Sequence, residues 1–204
     1  MKNKIKFLKN IKAILIATNN SGKFIEIKRL LPQHIKFLSP KEFNLQEPEE
    51  NGRDFKSNAL IKAEYCSNKT KLVSIADDSG LQIDLLDGMP GIYSARWAGD
   101  KKDFRIGIKK IYSELRVKKF NKIKARFVCA LAVFFPCGFS KVVEGYVYGS
   151  ISLFPKGNNG FGYDPIFIPN NYTKTFGEMN YTFKERLSHR NDAFKKIKKF
   201  FKYL

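Results

Sequence analysis

Leu72-Val73-Ser74-Ile75-Ala76-Asp77-Asp78-Ser79-Gly80-Leu81-Gln82-Ile83-Asp84-Leu85 is the stretch on which the fold turns. An apolar run leads into two adjacent carboxylates, and an alternating segment leads out. Ionised carboxylates at the end of a buried strand are costly unless they are paired, hydrogen-bonded or bound to a metal. The local reading is strand–turn–strand, with Asp and Gly forming the turn. The alternative is a functional acidic pair, and the surrounding chain has to decide between them.

Working outward, Ala13 to Ala17 reads as a short buried strand followed by Thr18-Asn19-Asn20-Ser21-Gly22-Lys23. Phe24, Ile27, Leu30 and Leu31 then recur at helical spacing up to Pro32. A polar loop opening a helix gathers backbone N–H groups at a positive dipole end, where an anion is favoured, and Lys23 adds a full charge. An ordinary helix cap is the plainer alternative. The segment lacks the Gly-x-x-x-x-Gly-Lys-Ser/Thr pattern of a Walker A loop. Ile35 to Leu38 is a second strand, and a loop ends in Glu49-Glu50-Asn51-Gly52. A helix capped by Asp54 runs to about Ser67, with Phe55, Ala59, Ala63 and Cys66 on one face and Asn58 and Lys62 on another.

Beyond the acidic pair, Asp87 to Trp97 is a shaped loop with two Gly and one Pro. Asp103 caps a helix whose stripe is Phe104, Ile108, Ile111, Tyr112 and Leu115, and a basic connector spans 118–124. Ala125 to Phe135 and Val142 to Ile151 form a long antiparallel hairpin about Pro136-Cys137-Gly138. Gly157 to Pro165 contains three glycines around Phe161 and Tyr163, so backbone can approach a ligand while a ring offers a flat face. The plainer alternative is a Gly-rich loop with its rings in the core. Ile166 to Ile168 is a short strand. Lys184, Ser188, His189 and Arg190 precede a final helix that turns Ala193, Phe194, Ile197, Phe201 and Leu204 inward. His189 and Arg190 at a helix start are ordinarily surface residues, and two cations there oppose the dipole, so an anionic or acceptor-rich partner would explain them better.

The 204 residues suit one domain over 13–204, preceded by a basic tail over 1–12. Three widely spaced cysteines form neither a disulfide framework nor a zinc site, which fits a reducing compartment. No apolar stretch is long enough to span a bilayer, and the run after the N-terminal lysines is too short for a signal peptide. A cytoplasmic protein is expected. The net charge of +19 invites a nucleic-acid reading, but the 30 Lys and 8 Arg are spread along the chain. Base readout and bidentate phosphate clamping favour Arg. No specific nucleic-acid partner is expected.

These loops, in this order, resemble one family from Ala13 onward: the non-canonical purine nucleoside triphosphate pyrophosphatases, also called inosine triphosphate (dITP/XTP) pyrophosphatases or HAM1-like proteins. The motifs are Ala17 to Lys23 with Glu26; Glu50-Asn51-Gly52 with Phe55, Asn58-Ala59 and Lys62-Ala63; Ala76 to Leu81 with Gly88 and Pro90 to Arg96; Gly160 to Pro165; and Ser188-His189-Arg190. Asp54 and Ser57 stand where the family often has Thr and Glu. The resemblance implies an α/β fold: a long mixed central β-sheet flanked by helices, in two lobes with the active cleft between them. It implies Mg²⁺-dependent hydrolysis of ITP, dITP or XTP to the monophosphate and pyrophosphate by a homodimer. Asp78 would be the general base and a metal ligand, with Glu49 or Glu50 beside it and Asp77 in support. Thr18, Asn19, Asn20, Ser21, Gly22, Lys23 and Lys62 would bind the triphosphate. Ser79, Phe161, Gly162, Tyr163, Asp164, Lys184, His189 and Arg190 would meet the base or sugar, with Phe161 stacking on the purine. A basic nucleic-acid-binding domain and a pyrophosphatase for modified pyrimidines of the Maf-like group are the rivals. The aromatic loop and His189-Arg190 argue against the latter.

Overall fold

The computed structural model describes residues 11–116 and 123–198. The basic tail up to residue 10, most of the basic connector, and Phe201 and Leu204 lie outside them. Six strands form one mixed sheet in the order β2-β1-β3-β4-β5-β6: β1 Ala13–Ile16, β2 Lys36–Leu38, β3 Val73–Ile83, β4 Lys124–Phe134, β5 Ser140–Ile151 and β6 Phe167–Pro169. The helices are α1 Ser21–Leu30, α2 Phe55–Thr70, α3 Phe104–Arg116, α4 Tyr181–Leu187 and α5 His189–Ile197. The strands β1 and β2 pair in parallel, as do β1 and β3, whereas β5 and β6 are antiparallel. Phe135 N–H donates to the Phe139 carbonyl in the turn joining β4 to β5, as the expected hairpin requires.

The chain divides into two compact units. Unit 1 comprises residues 11–78, 129–145 and 190–198. Unit 2 comprises 79–116, 123–128 and 146–189. Each has its own apolar core. In unit 1, Ile14, Ile16, Val73 and Ile75 pack with Ile27 and Leu31 of α1, Leu131 and Val133 of β4, and Ala193, Phe194 and Ile197 of α5. In unit 2, Leu81 and Ile83 pack with Ile108, Ile111 and Leu115 of α3 and with Phe127, Ile166, Phe167 and Phe176. The stripe expected on α2 is buried, that on α3 is buried at Ile108, Ile111 and Leu115 and half-buried at Phe104 and Tyr112, and that on α5 is buried at Ala193, Phe194 and Ile197.

The acidic pair corrects one expectation. No turn interrupts Val73–Ile83, and Asp77, Asp78, Ser79 and Gly80 all lie within β3. A strand can carry two adjacent carboxylates inward because successive side chains point to opposite faces. Each acid therefore needs partners on its own face only, and the structure supplies them. A second correction concerns Ser21-Gly22-Lys23, read as loop: these residues form the first turn of α1, and the loop ends at its N-cap, Asn20. Among the described residues, no helix is long and apolar enough to cross a membrane.

Candidate active site

In unit 1 the phosphate-loop motif is built on capping geometry. The Asn20 side chain accepts the Lys23 N–H at 3.0 Å, and Thr18 Oγ1 accepts the Asn20 N–H at 3.2 Å. Asn20 therefore acts as a cap, the plainer of the two readings, and in doing so it fixes where α1 begins. Asn19 Oδ1 is buried with no hydrogen-bond partner among the described residues. Thr18, Gly22 and Lys23 are half-buried, and Ser21 is exposed at the helix start.

Asp77 faces α1 and α5. Its Oδ2 lies 3.1 Å from Lys23 Nζ and 3.4 Å from Arg190 Nε. Arg190 also donates through a terminal nitrogen to Glu26 Oε2 at 2.8 Å. Asp77, Glu26 and Arg190 are all buried. His189 and Arg190, at a position where surface residues are the usual case, are each only 4% exposed. For Arg190 the anionic partners are the protein's own carboxylates. Sequence reasoning quoted Glu26 in the motif but gave it no role. Its place one helical turn from Lys23 was the available signal.

Asp78 takes the opposite face and meets α2. Asn58 donates through Nδ2 to Asp78 Oδ2 at 3.1 Å, and its Oδ1 accepts the Gly52 N–H at 2.8 Å. A Cβ on Gly52 would collide with Ser57 and Asn58, so only glycine brings the Glu50-Asn51-Gly52 loop this close to the helix. That approach delivers Glu50, whose Oε1 lies 2.5 Å from Lys62 Nζ, while Asp78 Oδ1 lies 3.9 Å from the same nitrogen. Glu49 is exposed. Burial pushes the Asp78 carboxyl above the ordinary carboxylate range, against the pull of Lys62 and Lys23. Burial also opposes the charge on Lys62, but Asp78, Glu50 and Asp77 together raise its pKa.

Whether these residues suit a divalent cation can be judged from the donors. Among the described residues, no three or more His, Cys, Asp or Glu cluster as a metal cage. Magnesium does not need one: it commonly takes one or two carboxylates, substrate phosphates and waters. Glu50 and Asp78 converge on one cationic nitrogen, so the donor set fits.

Unit 2 holds the other motif residues. Lys184 Nζ lies 2.7 Å from Asp164 Oδ2, and both residues are about 3% exposed. The same oxygen accepts the Phe161 N–H at 2.8 Å. Gly160 has φ +75°, and a Cβ there would strike the Asp164 carboxylate, so the tight loop depends on glycine. Lys184 Nζ is 4.7 Å from the centroid of the half-buried Phe161 ring, a cation–π distance. The His189 ring stacks on Phe127 with centroids 5.0 Å apart and 13° between planes. The two aromatics of the Gly-rich loop differ. Tyr163 is in the core, its hydroxyl donating to the Ser94 carbonyl at 2.9 Å and its ring edge-on to Phe104. Ser94, which the sequence reading left without a role, also accepts the Leu81 N–H. Gly162 and Ser79 are half-buried.

Unit 1 thus carries paired lysines and carboxylates at a strand–helix junction, and unit 2 carries a loop-borne ring backed by an ammonium, in an α/β protein. The chain belongs to the Ham1 family, whose model matches residues 14–200. It is 45% identical over 186 residues to a dITP/XTP pyrophosphatase of Rhodospirillum centenum, covering 90% of this chain and 92% of that protein. It is 46% identical over 192 residues to a dITP/XTP pyrophosphatase of Bacillus subtilis, covering 93% and 96%. Among solved structures it resembles a HAM1 protein from Coxiella burnetii with a TM-score of 0.84 at 34% identity, over 92% of this chain and 97% of that one.

Proposed function

We propose that this protein hydrolyses deaminated purine nucleoside triphosphates, namely ITP, dITP and XTP, to the monophosphate and pyrophosphate. The reading rests on the dITP/XTP pyrophosphatases that it resembles over nine-tenths of its length. The observation that carries it within the chain is Asp78: a buried carboxylate oriented by Asn58 and facing Lys62 and Glu50. Such a group is a proton acceptor beside the charges a triphosphate needs. With its pKa raised by burial, Asp78 is a stronger base than an exposed carboxylate. It takes a proton from water as the water oxygen attacks the α-phosphorus. The bond from that phosphorus to the bridging oxygen breaks, and pyrophosphate leaves.

In this mechanism Lys23 and Lys62 bind phosphate oxygens, with backbone N–H groups at the helix start, Ser21 and Gly22, and the small polar side chains of residues 18–21 beside them. Glu50 and Asp78 are the side chains suited to hold Mg²⁺, which when bound neutralises phosphate charge and activates water; exposed Glu49 is not assigned to it. Asp77 holds Lys23 in place. Unit 2 reads the base: Phe161 stacks on the purine, and Lys184, His189 and Ser79 supply polar contacts. A 6-oxo purine accepts where adenine would donate, so donors aimed there leave adenine unpaired; guanine shares the 6-oxo group, so its exclusion must act at the 2-amino group. Tyr163 is assigned to holding the loop through Ser94. We further propose a cytoplasmic homodimer that cleanses the nucleotide pool.

Pyrophosphate release with Mg²⁺ from ITP, dITP, XTP, GTP, ATP and modified pyrimidine triphosphates tests the reading. The expected order places the three deaminated purines above ATP and GTP by at least about a hundredfold in kcat/KM. Comparable turnover of ATP, or a preference for modified pyrimidines, would overturn it.

A further inference from the structure

Lys62 occupies an unusual position for a phosphate-binding lysine, because its ammonium sits on the two carboxylates suited to a metal. Nζ is 2.5 Å from Glu50 Oε1 and 3.9 Å from Asp78 Oδ1, on a residue only 8% exposed. An ammonium removed from water must stay paired, so this contact cannot be given up without a replacement. Asp78 and the backbone that carries Glu50 are held in place. Asn58 is held at both ends, by the Gly52 N–H and by Asp78, which ties the Glu50 loop and β3 to α2. Asp54 caps the same helix through the Ser57 N–H at 2.8 Å. The mobile partner is therefore the lysine, a four-carbon stem with freely rotating donors.

We propose that Lys62 and a divalent cation are alternative partners of Glu50 and Asp78. The ammonium holds the two carboxylates together until a divalent ion takes them, and the displaced ammonium then turns to the phosphate oxygens of the substrate. This rests on the reading of Glu50 and Asp78 as metal ligands. One positive charge thus serves two purposes in sequence: it preforms the acidic pair against mutual repulsion, and it arrives at the phosphates only when the metal is in place. Because binding the ion includes breaking the Lys62 pairs, the lysine lowers metal affinity in the nucleotide-free protein, and its removal raises it.

The test is calorimetric titration of the nucleotide-free protein with magnesium chloride, for the natural chain and for Lys62→Met and Lys62→Gln. Both variants are expected to bind Mg²⁺ about tenfold more tightly. They are also expected to melt lower than the natural chain in chelator, with the gap closing as Mg²⁺ saturates. Lysine-ammonium ¹⁵N spectra supply a direct readout in the natural chain. The Lys62 signal, assigned by its loss in whichever of the two variants folds, is expected to be protected from solvent in chelator and to shift and exchange faster on adding Mg²⁺. Circular dichroism establishes that the variants fold, and should either fail to fold, the ammonium signal alone decides. Equal or weaker Mg²⁺ binding in the folded variants, absence of binding in all three proteins, or an ammonium signal unmoved by saturating Mg²⁺ overturns the exchange. Pyrophosphate release from dITP by the natural chain, with and without Mg²⁺, separates the outcomes. If Mg²⁺-dependent release persists, only the exchange has failed; if release needs no divalent ion, the metal assignment has failed with it.

Discussion

The two units solve the problem of buried charge differently. Unit 1 interleaves cations and anions along β3: Asp77 pairs with Lys23 and Arg190, and Asp78 faces Lys62, which also pairs with Glu50. Unit 2 concentrates charge in the Asp164–Lys184 pair and surrounds it with rings, Phe161 over the ammonium and Phe176 at 6.0 Å. A lattice of charges can exchange partners when a polyanion or a metal arrives. A closed pair backed by aromatics keeps its geometry and presents a flat surface. Under the proposed function the contrast has a use: adaptable neutralisation suits the triphosphate, and a fixed shape suits the base.

The largest expected effect breaks the comparison at unit 1. Asp78→Asn keeps the size and the contact with Asn58 but removes the charge and the proton acceptor. Turnover of dITP should fall by at least about a thousandfold, roughly 4 kcal/mol in the barrier. Circular dichroism and the melting curve should show an intact fold. Retention of more than a tenth of the natural kcat would show that the base lies elsewhere.

Next comes the closed pair. Lys184→Met strips the ammonium from a carboxylate that is about 3% exposed, and breaking a buried pair in this way costs about 3–5 kcal/mol. The melting temperature should drop by about 6 °C or more. The matching change in unit 1, Lys23→Met, leaves Asp77 with Arg190, so its thermal cost should be clearly smaller while KM for dITP rises. Equal melting shifts for the two variants would erase the distinction between an exchangeable lattice and a closed pair.

Much of this was legible in the chain. Periodicity placed α2, α3 and α5 and their buried faces, Asp54 was readable as a cap, and the motif order carried the family. What the sequence hid depends on residues far apart along it. The local turn reading of Asp77 and Asp78 stayed open beside the functional one because a local window contains no cations for them, whereas Lys23 and Arg190 reach Asp77 only after folding. Arg190 and Glu26 are 164 positions apart, so no local pattern could show that a cation at a helix start would be buried. The two rings in the Gly-rich loop were equivalent by composition. Only packing assigned Tyr163 to Ser94 and left Phe161 half-buried.

The exposed part of that ring gives the next test. Stacking of a base on an aromatic side chain is worth about 1–3 kcal/mol. Phe161→Ala should raise KM for dITP by about 5- to 150-fold, with a small loss of kcat and little change in melting temperature. An unchanged KM would mean that unit 2 recognises the base by polar contacts alone and that the ring serves only to cover Lys184.

The smallest effect sharpens the comparison at the caps of the two helices that carry Lys62 and Lys184. In unit 1, α2 is capped by a carboxylate: Asp54 accepts the Ser57 N–H at 2.8 Å, and this bond holds its carboxyl below the ordinary value of 3.8. In unit 2, α4 is capped by a neutral amide, Asn180, accepting the Phe183 N–H at 2.9 Å. A lowered pKa in the folded state means that the native protein releases the proton more readily than the unfolded chain does. The charged cap therefore stabilises fully above the unfolded value and loses its contribution as pH falls through the lower folded value. Asp54 is exposed, so its worth is an ordinary cap's, about 1 kcal/mol at neutral pH. Asp54→Ala should lower stability by that amount at pH 7, and the difference from the natural chain should shrink below pH 4. Asn180→Ala should cost a similar amount with no such dependence, because nothing at that cap titrates. Denaturant melts of both variants across this range would decide the matter, and parallel pH profiles would show that the charge on Asp54 contributes nothing beyond its hydrogen bond.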